Sequence, residues 1–89
     1  MPLSHIGFNM LPDKDGCIRI RANVAGEVDI RAEVGQLAYG GQILAVIEGD
    51  LEIESLSIRR PSKVEEVLVD DGSEVPSGTV LMVVRELAE

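Results

Sequence analysis

Four carboxylates in the middle of the chain are spaced closely enough to suggest cation chemistry. Glu48, Asp50, Glu52 and Glu54 recur at every second position, and carboxylate oxygens are ligands that hard divalent cations prefer. Glu52 and Glu54 would share one face of an extended strand, because successive side chains point to opposite sides. A flat strand edge, however, supplies no loop carbonyls to complete a coordination shell. We therefore predict a solvated acidic surface and no metal site.

Few other residues could act as nucleophiles or general bases. His5 is the only histidine and Cys17 the only cysteine, and no histidine lies near Cys17 to activate its thiol. We expect Cys17 to pack in the interior, and one cysteine excludes an intrachain disulfide or a cysteine-based zinc site. The pair Arg59-Arg60 could receive an acidic partner, but pairing with nearby carboxylates is favoured. The sequence predicts no catalytic residues and no enzyme activity.

Size and composition exclude several other functions. The chain of 89 residues corresponds to one small domain, and its aromatic content is 2%, namely Phe8 and Tyr39. Stacking platforms for nucleic-acid bases are therefore not available. Sixteen acidic and eight basic residues give a net charge of -8, which repels DNA and anionic membranes and favours either solubility alone or a basic protein partner. No apolar run is long enough to span a bilayer, and no signal peptide is evident. A cytoplasmic location is expected.

Short aliphatic runs separated by turn residues predict an all-β fold. Residues 1–17 are predicted to form an irregular arm and residues 18–86 the domain. Glycine pairs and Asp-Gly or Pro-Ser-Gly sequences mark the turns. The first and second halves of the chain each contain two glycine turns, and a short extended piece is predicted between them. The predicted strands are Ile18–Ala22, Glu27–Glu33, Gln42–Glu48, Glu52–Ile58, Val64–Val69 and Thr79–Arg85.

The chain contains an internal repeat. Gly35 corresponds to Gly72 and Gly41 to Gly78 at a separation of 37 positions, with aliphatic residues matching between them. Neither half has enough apolar surface to fold alone, so the repeat predicts two halves packed face to face with pseudo-twofold symmetry. The predicted core comprises Ile30, Leu44, Val46, Val67, Val69, Leu81 and Val83.

A hairpin is predicted between the halves. Aliphatic strands flank Gly49-Asp50, a pair typical of a tight type I′ or II′ turn. After the turn, the apolar positions change phase near Ser55, which predicts a bulge or a strand that switches faces.

Three sequence runs together resemble the biotinyl/lipoyl attachment domain family, the carrier modules of biotin-dependent carboxylases and 2-oxoacid dehydrogenases. The run ANVAGEV at 22–28 resembles the family's small-Pro-x-x-Gly-x-Val turn, with Asn23 in place of proline. Residues 34–48 resemble its G-D-x-V…G-Q-x-L-x-x-I-E stretch, and residues 64–81 resemble the equivalent of that stretch in the second half. The resemblance covers residues 18–86 and implies a flattened barrel-sandwich of two four-stranded antiparallel sheets.

The resemblance fails at the residue that carries the family's chemistry. Family members attach biotin or lipoate to a lysine at the tip of the central hairpin, presented as Glu-Ala-Met-Lys-Met in biotinyl domains. The matching run here is Glu48-Gly49-Asp50-Leu51-Glu52, so Leu51 stands where the lysine is expected. The remaining lysines, Lys14 and Lys63, lie in the arm and beside a predicted strand. No bound biotin or lipoate is therefore expected.

Three functions stay open on this basis. The first is a non-catalytic biotinyl/lipoyl-like domain that acts as a protein-interaction or assembly module, with the tip residues Gly49, Asp50, Leu51 and Glu52 as the equivalent of the attachment site. The second is a biotin or lipoyl carrier subunit of a multienzyme complex that uses an unusual site. The third is a lipoyl-like fragment of a membrane-fusion adaptor, although Gly49-Asp50 closes the hairpin where those proteins insert helices. A monomer or weak homodimer is expected, with edge strands or Leu51 as the contact.

Overall fold

Branched aliphatic residues that alternate with charged residues form eight strands in this protein. The computed structural model describes residues 16–87, and this part of the chain contains no helix, so no helical segment there could cross a membrane. All six predicted strands are confirmed; two further strands of two residues each occupy the predicted extended pieces between glycine turns. The strands are β1 (Cys17–Arg21), β2 (Gly26–Ile30), β3 (Leu37–Ala38), β4 (Ile43–Glu48), β5 (Ile53–Ser57), β6 (Ser62–Val67), β7 (Glu74–Val75) and β8 (Val80–Glu86).

The strands form two antiparallel sheets of four strands each. One sheet has the order β1-β8-β6-β3 and the other has the order β5-β4-β2-β7. The molecule is flattened, with principal extents of 39 × 35 × 19 Å. The all-β, two-sheet sandwich expected from the sequence is thereby confirmed. Most of the predicted arm lies outside the described residues, which begin one position before β1.

The two sheets are related by the internal repeat. When β1 is replaced by β5, β8 by β4, β6 by β2 and β3 by β7, the strand order of the first sheet becomes that of the second. Each sheet therefore contains two strands from each half of the chain. Gly35 donates its N–H to the carbonyl of Val64 at 2.8 Å, and Gly72 donates to the carbonyl of Val28 at 2.7 Å. Both glycines have φ near +90°, a conformation that other residues rarely adopt.

The core differs from the predicted one at two positions. Leu44 and Leu81 are fully buried as predicted, and Ile30, Val67 and Val69 pack against the core while partly exposed. Val46 and Val83 were predicted to be core residues, and that prediction is wrong, since both are half-buried and neither belongs to the core cluster or to the side chains packed against it. The largest fully buried side chains include Leu44, Ile47, Leu81, Met82, Val28, Val64 and Val84.

Bulges explain why simple alternation gave the wrong core residues. In the β4–β5 ladder Ile43 pairs with Ser57 and Ala45 with Leu56, which leaves Leu44 as an extra residue. Leu81 is the extra residue in β8, because Ile20 pairs with Met82 and Arg21 with Val80. A bulge places two residues opposite one on the partner strand. At these two bulges the consecutive residues 44–45 and 81–82 are buried, and the alternation reverses beyond them. The irregularity predicted near Ser55 therefore exists, but its extra residue belongs to the neighbouring strand β4.

We expect Leu44→Ala to lower the free energy of unfolding by about 2–5 kcal/mol, because it removes a fully buried side chain and leaves a cavity. Leu37→Ala is the matched control, since it makes the same chemical change at a residue that is 52% exposed. The control should cost well under about 1 kcal/mol. Urea unfolding followed by circular dichroism measures both, and equal losses would contradict the assigned core.

Candidate functional site: the hairpin between β4 and β5

The hairpin tip presents Asp50 and Leu51 to solvent. The last ladder pair joins Glu48 to Ile53, and the N–H of Gly49 donates to the carbonyl of Glu52 at 2.8 Å. The connection is therefore four residues long, from 49 to 52. Gly49 does not have a positive φ, and no described residue other than glycine has one. The predicted type I′ or II′ turn is wrong, because both types require a positive φ at the first central residue.

Close backbone approach explains both glycines at the hairpin base. A β-carbon at Gly49 would lie 2.8 Å from the carbonyl oxygen of Ala25, and one at Gly26 would lie 2.7 Å from the carbonyl carbon of Glu48. Neither distance is compatible with a side chain. The loop between β1 and β2 (residues 22–25, the β1–β2 loop) therefore packs directly on the base of the hairpin.

Asn23 and Glu54 tie the same loop to β5. The backbone N–H of Asn23 donates to Oε1 of Glu54 at 2.8 Å, and the Asn23 side-chain amide donates to Oε2 of the same carboxylate. Hydrogen bonds to a charged acceptor are stronger than neutral ones. The hydroxyl of Ser77 donates to the Asn23 carbonyl at 3.1 Å, which links the loop to the second half. The hairpin is thus held at its base while its tip projects.

Sequence reasoning missed this role of Glu54. It grouped Glu54 with the solvated carboxylates, whereas the structure places it half-buried against Asn23. The available signal was Asn23, which occupies a position where the resembled family has proline. Proline has no N–H and no side-chain donor, so an asparagine there supplies two hydrogen bonds that proline cannot.

The tip carries an apolar side chain rather than a reactive one. Leu51 is 95% exposed and Ile53 is 67% exposed, and Asp50 and Glu52 beside Leu51 are also exposed. An aliphatic side chain offers neither a nucleophile nor a metal ligand. Within residues 16–87, no group of three or more His, Cys, Asp or Glu side chains is arranged to hold a metal ion.

The other sequence candidates lie away from the hairpin or outside the described residues. Cys17 is buried at the start of β1, in agreement with its predicted packing role, and His5 lies outside the described residues. Lys63 lies in β6 of the other sheet, where it pairs with Leu37 and Arg85. Pairing of Arg59 and Arg60 with carboxylates stays a prediction.

Two solved structures have the same fold over most of this chain. The first, described as a single-chain, multi-domain long-chain acyl-CoA carboxylase, matches 89% of this chain and 8% of its own with 26% identity and a TM-score of 0.76. The second is the urea carboxylase of Kluyveromyces lactis, matched over 83% of this chain and 6% of its own, with 21% identity and a TM-score of 0.67. This chain therefore spans less than a tenth of either carboxylase. Neither a family model nor a curated protein matches it. The likeness is consistent with a biotin carboxyl carrier-like domain.

We expect Asn23→Asp to lower the free energy of unfolding by about 1 kcal/mol. The substitution removes a hydrogen-bond donor to Glu54 and places a second carboxylate beside the carboxylate of Glu54, so that the two repel each other. Gln42→Glu is the matched control, since it adds the same charge but keeps the side-chain oxygen that accepts from the Tyr39 N–H. Urea unfolding measures both variants.

Adding Glu54→Gln to the Asn23→Asp variant should recover part of the loss, because it removes the repulsion. Equal losses in Asn23→Asp and Gln42→Glu, or no recovery in the double variant, would show that the Asn23–Glu54 contact does not hold the loop.

Proposed function

We propose that this chain is a non-catalytic biotinyl/lipoyl-like domain that lacks the attachment lysine and acts as a protein-interaction or assembly module. The single observation that carries the proposal is the position of Leu51, 95% exposed at the tip of the central hairpin. In the family that the sequence resembles, this tip presents the modified lysine.

Attachment chemistry supports the loss of the carrier role. Biotin and lipoate are joined to a protein through an amide, which requires the primary amine of a lysine. Leu51 has no amine, and the only lysines in the chain are Lys14 and Lys63. Lys63 lies within a strand of the sheet that does not contain the hairpin, so it does not project as a tip residue does.

An interaction role is supported by what replaces the lysine. Leu51 is 95% exposed, and Ile53, two residues further along, is 67% exposed. Adjoining exposed aliphatic side chains at a projecting tip offer apolar contact area to a partner. The fold likeness to parts of carboxylases fits a domain that works beside other domains or subunits. We propose a protein partner in a cytoplasmic assembly, with neither nucleic acid nor membrane as the target.

A biotin or lipoyl carrier subunit is the second candidate. The likeness to carboxylases favours it, and it requires modification at a residue other than a tip lysine. The membrane-fusion adaptor receives no comparable support, because the four-residue connection between β4 and β5 contains no inserted helices.

We expect the natural chain to keep its unmodified mass when it is co-expressed with biotin and lipoate ligases, whereas Leu51→Lys gains partial attachment. The tip projects, so a lysine there can reach a ligase active site, and the substitution should cost well under about 1 kcal/mol. Changing Asp50 and Glu52 to Met in the same protein should raise biotinylation, since biotinyl domains have methionines at these positions. Intact-mass spectrometry counts the added groups.

Leu37→Lys is the matched control, because it places a lysine at another exposed leucine, within β3, and it should stay unmodified. A mass gain in the natural chain would overturn the proposal in favour of the carrier subunit. A folded triple variant that stays unmodified would show that residue 51 is not at the acceptor position.

We expect the isolated chain to be a monomer or a weak dimer, because a net charge of -8 opposes self-association at low salt. Sedimentation velocity at low and at raised salt measures this, and any dimer should strengthen as salt screens the repulsion. Leu51→Ser should abolish that dimer if the tip is the contact. A tight dimer at low salt would contradict the expectation.

A further inference from the structure

One outer face of the sandwich combines carboxylates with exposed aliphatic side chains. Across the sheet β5-β4-β2-β7, Glu74 pairs with Glu27, Glu27 pairs with Glu48, and Glu48 pairs with Ile53. Directly paired residues on neighbouring strands project to the same side. Three exposed carboxylates and Ile53 therefore form one row across all four strands.

This row of carboxylates lowers the stability of the isolated domain. Like charges directly opposite each other on adjacent strands are destabilising, and the strands of this sheet contain no lysine or arginine. Its acidic residues are Glu27, Asp29, Glu48, Glu54 and Glu74. The strands of the other sheet contain both signs, with the basic residues Arg19, Arg21, Lys63 and Arg85 and the acidic residues Glu65, Glu66 and Glu86.

The same face contains a depression whose lining combines carboxylates with aliphatic side chains. A depression of about 400 Å³ is lined by Glu27 and Glu48 of the row, by Ile53, and by the half-buried side chain of Val46. Arg31 is the single basic residue in its lining, and its guanidinium already binds Asp29 at 2.8 Å. The depression therefore offers uncompensated negative charge around aliphatic contact area.

We propose that this face, defined by Glu27, Glu48, Glu74, Val46 and Ile53, binds an extended partner segment that presents both lysine or arginine and aliphatic residues on one side. The cations pair with the row of carboxylates and relieve their mutual repulsion, and the aliphatic residues cover Val46 and Ile53. The inference rests on the proposed interaction role and names the chemistry of the partner.

The dimensions of the face fit a short extended segment. The row crosses four strands, and three inter-strand spacings of about 4.8 Å give a length of about 14 Å. A segment of four or five residues in extended conformation covers this length at about 3.3 Å per residue. Alternate side chains of such a segment point to the same side, so its cations and aliphatic residues occupy every second position, and the intervening side chains point to solvent.

The test uses the full chain and the octapeptide Lys-Ser-Lys-Ser-Val-Ser-Val-Ser, which presents two lysines and two valines on one side when extended, titrated by NMR with isotope-labelled protein. The amide shifts should change at the residues of this face, and binding should weaken as salt is added. Glu27→Gln combined with Glu48→Gln should weaken binding at least tenfold. Glu33→Gln combined with Glu66→Gln, the same charge change outside the face, should alter it less than twofold.

The aliphatic part has its own controls. An octapeptide with serine in place of both valines should bind the natural chain at least fivefold more weakly, and Ile53→Ser should weaken binding of the valine-containing peptide by a similar factor. Leu37→Ser, at an exposed leucine of the other sheet, should leave binding unchanged.

No binding at millimolar peptide, equal loss in both double glutamine variants, or shift changes confined to the other sheet would each overturn this inference. None of these results depends on ligase recognition of residue 51. Biotinylation of the natural chain would overturn the proposed loss of the carrier role without altering the peptide result, so the two failures are distinguishable.

Discussion

Cross-pairing of the two sequence halves is the constraint on which the rest of the structure depends. Each sheet takes two strands from each half, and the glycine turn of each half donates a hydrogen bond to a strand of the other at Gly35 and Gly72. The buried residues Leu44 and Leu81 come from different halves and fill one core. β4 and β5 are neighbours in one sheet, and the link between the halves is a four-residue connection at the end of that hairpin.

The exposed hairpin tip stands on a fixed base. The β1–β2 loop contacts the hairpin base closely enough to exclude side chains at Gly26 and Gly49, and Asn23 holds the carboxylate of Glu54 on β5. The structure thus combines a restrained base with a tip whose outermost side chain is Leu51. That geometry is the basis of the proposed recognition by another protein.

Charge is divided between the two outer faces in a way that composition alone does not report. A net charge of -8 could be spread evenly for solubility, yet the strands of one sheet hold carboxylates without a single cation while those of the other hold both signs. The acidic face also includes Ile53, which follows the hairpin tip closely in sequence. The tip and the acidic face therefore adjoin, and one partner could contact both.

The sequence by itself determined the all-β class, six of the eight strands, the glycine turns, the relation between the halves and the exposure of residue 51, because these features repeat locally along the chain. The tertiary structure decided the bulges at Leu44 and Leu81, which move Val46 and Val83 out of the core, and the backbone of the hairpin turn. It also decided which carboxylates are neighbours on adjacent strands. Glu27, Glu48 and Glu74 are far apart in sequence and become neighbours only through the pairing of β2 with β4 and β7, since ladder register depends on partner strands and not on the local pattern.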